Sequence, residues 1–109
     1  MRRTNDFLSE LKDIMILGES FPNKAKDKLD EFVVKLDIDN ENGDTEEYDI
    51  TKIWLNVVDQ LRGNLKKASD SVAPSMYKIM REFLEGSISQ DSIDELEVKK
   101  FVEGAFSKD

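Results

Sequence analysis

Asp37, Asp39, Glu41, Asp44, Glu46, Glu47 and Asp49 fall within thirteen residues, and no Lys or Arg stands among them. Carboxylates gathered this densely can do three kinds of work. They can exchange protons in acid–base catalysis. They can hold a hard cation through oxygen. They can project a negative field that attracts a basic partner. A catalytic carboxylate needs burial, or a close like charge, to shift its pKa. These seven have polar neighbours and read as solvated, so the first use is not expected. A divalent-cation loop of the EF-hand type wants side-chain oxygens at its first, third and fifth places, Gly at the sixth, an apolar residue at the eighth and Glu at the twelfth. With Gly43 at the sixth place, Ile38 takes the first and offers no oxygen. With Asp37 first, Asn42 stands where Gly belongs and Asp44 where the apolar residue belongs. Neither alignment fits, so no dedicated metal site is read and no cofactor is expected. Weak attraction of divalent cations is the most that the segment would offer.

The field remains. The chain carries 24 acids and 16 bases, a net charge of −8. Seven of those acids lie in residues 37–49, and the other 96 residues hold 17 acids against 16 bases. The charge imbalance is therefore local. Seven like charges repel one another and disfavour compact structure, so the plain alternative is a solvated loop. The functional reading is a basic protein partner docking on Asp37, Asp39, Glu41, Asp44, Glu46, Glu47 and Asp49.

Other chemistry is short of parts. With no Cys and no His, thiolate catalysis, disulfides, Cys-based zinc sites and the usual general base are excluded. No Gly-rich phosphate loop, GxSxG elbow or Walker motif occurs, and an enzyme is not expected. The basic clusters Arg2-Arg3, Lys24-Lys26-Lys28, Lys66-Lys67 and Lys99-Lys100 are embedded among acids, which disfavours direct binding to nucleic acid. A helix-turn-helix over residues 76–103 fails because the second helix begins with acids. A second acidic stretch holds Glu85, Asp91, Asp94, Glu95 and Glu97, of which Asp91, Asp94 and Glu95 surround the start of a helix, where backbone dipoles favour negative charge.

The elements that hold these residues are read from apolar periodicity. Phe7, Leu8, Leu11, Ile14 and Met15 mark one face of a first helix starting near Thr4 or Asn5, with Gly18 as its stop. Pro22 opens a second helix striped by Ala25, Leu29, Phe32, Val33 and Leu36. Residues 37–49 lose periodicity, are rich in turn formers and read as the longest loop. Asp49 caps a third helix carrying Ile50, Ile53, Trp54, Val57, Val58, Leu61 and Leu65, with Gly63 marking a weak point or a close approach by another helix. Trp54 reads as a core anchor. Pro74 starts a fourth helix with Met76, Tyr77, Ile79, Met80, Phe83 and Leu84, and Gly86 stops it. Met15, Met76 and Met80 read as core filler. Ser92 and Glu95 form a capping box for a fifth helix with Ile93, Leu96, Phe101, Val102 and Phe106.

Hence the expected fold is all-α, a compact bundle of four to five amphipathic helices in a single domain over 1–109, with the acidic loop 37–49 between the second and third. At 39% apolar and 37% charged, the chain can bury one core. Glu10, Lys12 and Asp13 interrupt any signal-peptide core, and no run approaches a membrane span, so a cytoplasmic location without membrane contact is expected. The expected function is a non-catalytic interaction or regulatory protein of the inhibitor, immunity or anti-defence type. Its alternatives are a self-assembling structural subunit, pairing through an exposed helix face such as Ile16 and Leu17, and a weak cation-responsive helical module.

Overall fold

Five helices account for nearly all of the backbone in a computed structural model that describes residues 4–42, 45–88 and 95–106, with side chains at 7–38, 52, 54–86 and 97–104. They are α1 (Thr4–Ser20), α2 (Pro22–Asn42), α3 (Thr45–Lys67), α4 (Ala73–Ile88) and α5 (Glu95–Phe106). The fold is an all-α bundle, as the apolar stripes require. The longest helix, α3, has 23 residues, about 34 Å at 1.5 Å per residue. The molecule measures 41 × 27 × 27 Å, so it is about one helix long.

The stripes meet in one core. Phe7, Leu8, Leu11 and Met15 of α1, Ala25, Leu29, Phe32 and Leu36 of α2, and Trp54, Val57, Val58, Leu61 and Leu65 of α3 are buried together. Tyr77, Met80 and Leu84 of α4 and Val98 and Val102 of α5 join the same cluster. Trp54 is fully buried, the core anchor that its place on the stripe predicts. Phe7 lies between Phe32 and Trp54, with ring centroids at 6.5 and 6.4 Å, and ties α1 to α2 and α3. Met15 and Met80 are buried, and Met76 packs on the cluster from its edge.

The helices follow the spatial order α4, α1, α2, α3, α5, each packing on its neighbours. Phe83 of α4 stacks on Phe101 of α5 at 3.9 Å between centroids, which closes the two ends of that series on each other. The join between α1 and α2 is one residue. Phe21 N–H donates to Leu17 O at 2.8 Å, and Phe21 O accepts from Ala25 N–H at 3.1 Å, so the same residue ends one helix and begins the next. Pro22 then occupies the first turn, where its lacking N–H loses nothing. Between α3 and α4, Val72 O accepts from Met76 N–H at 3.3 Å and opens α4. Ala73 therefore precedes Pro74 in the first turn.

Five expectations are corrected. The loop expected over 37–49 is largely helical: α2 runs through Asn42 and α3 resumes at Thr45. Extending a formed helix costs little once it is nucleated, and Glu46, Glu47 and Asp49 suit the positive N-terminal end of α3. Gly18 does not stop α1, which continues to Ser20. It is instead a point of contact, where a Cβ would overlap the ring of Tyr77. Gly86 does not stop α4, which runs to Ile88. Gly63 has no described neighbour within contact distance of a Cβ, so no helix crosses closely there. Ile79, placed on the α4 stripe, is exposed. The expected Ser92–Glu95 capping box lies outside the described residues.

Candidate functional site

The acidic residues divide between two helices joined end to end. Asp37, Asp39 and Glu41 belong to the last two turns of α2, and Glu46, Glu47 and Asp49 to the first turns of α3. Asp44 lies outside the described residues, as do the side chains of the other five beyond Asp37. The Asp37 side chain is exposed. The α2–α3 hairpin thus carries all seven acids at its tip in sequence. The two halves differ physically. Carboxylates at the start of α3 face the favourable end of the helix dipole, whereas those at the end of α2 face the unfavourable end. No basic residue occupies the last turn of α2 to offset them.

The bases described in ion pairs are engaged elsewhere. Lys35 of α2 reaches Glu10 of α1 at 3.5 Å. Arg62 of α3 bridges Asp59 at 2.8 Å and Asp30 of α2 at 3.4 Å, with Lys66 joining Asp30 at 3.7 Å. Arg81 of α4 grips Glu19 of α1 through two nitrogens and reaches Glu85 at 3.1 Å. The hydrogen bond to Glu19 dominates in raising the guanidinium pKa further and keeping it charged. These pairs fasten α1 to α4 and α2 to both neighbours, and every carboxylate they use lies outside 37–49.

A groove of about 280 Å³ runs between α1 and α2. Ile14, Leu17 and Phe32 form its apolar floor. Glu10 and Asp13 stand on the α1 side, and Lys28, Glu31 and Lys35 on the α2 side. Lys28 pairs with Glu31 at 3.6 Å, and Lys35 with Glu10. Asp13 makes no ion pair among the described residues. Beside the groove, Val34 and Ile38 lie outward on α2, 58% and 52% exposed. No signal in the sequence marks the groove, because it forms only when two distant faces meet. Val34 was legible, because it falls off the stripe of Ala25, Leu29, Phe32, Val33 and Leu36; Ile38 was not, because it lies in the segment that reads as a loop.

At the other end of α1, Tyr77 lies against Gly18 and donates its hydroxyl proton to Pro22 O at 3.2 Å. Burial pushes the Tyr77 phenol up to about 12. No group of three or more carboxylates among the described residues is close enough to hold a metal ion. No helix among them is long and apolar enough to cross a membrane. The arrangement offers charge, an apolar groove and a rigid helical frame, in an all-α bundle. Set against known proteins, the chain matches no family model, no curated protein and no solved structure.

Proposed function

We propose that this protein is a non-catalytic interaction or regulatory protein, of the inhibitor, immunity or anti-defence type, whose acidic α2–α3 tip binds a basic patch on another protein in the cytoplasm. The observation that carries the reading is the confinement of seven acids and no base to residues 37–49, at the junction of two helices. A negative patch steers encounter with a positive surface and suppresses wrong partners. The acids at the end of α2 support the same reading. They oppose the helix dipole, and stability alone would favour Lys there.

The test compares two variants of equal charge. One neutralises Asp39, Glu41, Glu46 and Glu47 as Asn or Gln, and the other neutralises Asp70, Glu82, Glu97 and Glu103. Proteins retained on the immobilised native chain should be released as salt rises, because surface charge is screened beyond about 8 Å at physiological ionic strength. They should be lost from the first variant and kept by the second. Equal retention by both variants with the same salt profile would remove the acidic tip from the function.

A further inference from the structure

The joins between α1 and α2 and between α3 and α4 lie at one end of the bundle, where Tyr77 of α4 meets Pro22 O. The acidic tip is the α2–α3 join, at the opposite end. The 21 residues of α2 keep the two ends about 31 Å apart at 1.5 Å per residue. Turns usually carry small polar residues, yet each of the two joins bears an exposed apolar side chain. Phe21 is 55% exposed and Val72 45%, and neither belongs to the core. Lys24 Nζ stands 5.2 Å from the centre of the Phe21 ring.

Charge at this end has the opposite sign to the tip. Within about two turns of the joins, residues 14–28 and 61–79 hold seven bases and three acids. Part of that charge is matched by groups just beyond. Lys28 pairs with Glu31, Arg62 with Asp30 and Asp59, Lys66 with Asp30, and Glu19 with Arg81. Lys24, Lys26, Lys67 and Lys78 then stand against Asp27 and Asp70, a surplus of two positive charges.

We infer that this end receives the acidic tip of a second copy, so that chains associate head to tail. The inference rests on the acidic-tip reading and names a second copy as one basic surface that the tip takes. Phe21 and Val72 supply the apolar centre of the contact, with Lys24, Lys67 and Lys78 around it. The two surfaces are unlike and lie at opposite ends, so the contact is heterologous and open-ended. Two-fold pairing of tips, or of basic ends, would set like charge on like. Nucleic acid is the wrong occupant, because a surplus of two charges neutralises too few phosphates. A cross-section of 27 × 27 Å allows about 1,100 Å² of buried surface over both partners, just under the size of stable interfaces, so the association is weak.

Sedimentation of the full chain tests this. In dilute salt the average mass of the native chain should rise about two-fold over about a hundred-fold increase in concentration, and fall to one chain at about 1 M salt, where screening acts within about 3 Å. The end variant K24E/K67E/K78E, altered at exposed positions, should stay a single chain. The tip variant D39N/E41Q/E46Q/E47Q should do the same. Mixed in equal amounts, the two variants should form pairs and nothing larger, because one intact tip meets one intact end. The methyl NMR signals of Val72 should shift with concentration in the native chain, and those of Val34, on the side of α2, should not. An end variant that associates like the native chain, or a mixture that stays single, would overturn the contact. Shifts at Val34 in place of Val72 would also overturn it. A native chain that stays single at every concentration would overturn it too, and would leave the acidic-tip reading to its own retention test.

Discussion

Gly18 illustrates how one missing atom can decide a contact. Glycine inside a helix normally costs about 0.5–1 kcal/mol relative to alanine. At Gly18 the ordinary gain from Ala is unavailable, because the new Cβ would overlap the Tyr77 ring. That ring cannot swing away freely, since its hydroxyl is tied to Pro22 O. Gly18→Ala should therefore destabilise by about 1–3 kcal/mol, the usual range for overpacking. Gly63→Ala and Gly104→Ala, with open space around them, should each stabilise by about 0.5–1 kcal/mol. Urea unfolding of the three variants checks the reversal of sign. Tyr77 itself makes stability depend on alkali. Its folded pKa is about 12, above the usual value near 10 for an unfolded chain. Its contribution is thus intact below about pH 10 and declines as pH rises toward 12. Tyr77→Phe should cost about 0.5–1.5 kcal/mol at neutral pH through the lost hydrogen bond, and the gap to the native chain should narrow above pH 10. A gap constant with pH would show that the phenol titrates as if exposed. The sequence makes Gly18 visible only as a glycine near a helix end. Its partner lies 59 positions further on, and no local signal joins them.

The helices themselves were written in the apolar spacing, and their ends were not. Leu8, Leu11 and Met15, or Val57, Leu61 and Leu65, leave no other buried face for a helix to present. Where a helix stops depends on weaker preferences, and Asp37 to Asn42 look like turn formers when judged alone. Attached to the end of α2 they propagate a helix that is already nucleated. This continuation carries a consequence for stability. Asp39 and Glu41 sit at the negative end of the α2 dipole, so D39N/E41Q should raise stability by about 0.3–1 kcal/mol at low salt while weakening capture of a basic partner. A melting temperature that falls in that variant would contradict the helical placement of the pair. The acidic site was legible as a composition, because seven charges without a counter-ion stand out in any window. The groove was not legible, because stripes tell that a face is buried and not against which neighbour. Glu10 and Lys35 give no hint of one another in the chain, 25 positions apart.

Over the whole molecule, the radius of gyration of 13.2 Å matches the roughly 13 Å expected for a compact chain of this length. Charge is distributed unevenly over that compact body. Near balance outside 37–49 and strong excess within it mean that salt acts mainly on one place. Raising ionic strength from about 0.01 to 0.15 M shortens the screening length from about 30 to 8 Å. The native chain should then gain thermal stability, and the variant neutralised at Asp39, Glu41, Glu46 and Glu47 should respond much less. A scan of melting temperature against salt for the two proteins measures the difference. The order α4, α1, α2, α3, α5 has a further consequence in time. Translation delivers α1 well before α4, which covers the side of α1 away from α2. At about 5–20 residues per second, several seconds separate their synthesis. During that interval part of the Leu8–Met15 side has no cover, and the nascent chain is open to chaperones and to aggregation. The last strong contact of α1 is made by almost the last helix to emerge, so a ribosome stalled before Ala73 would hold three helices with one apolar side of α1 uncovered.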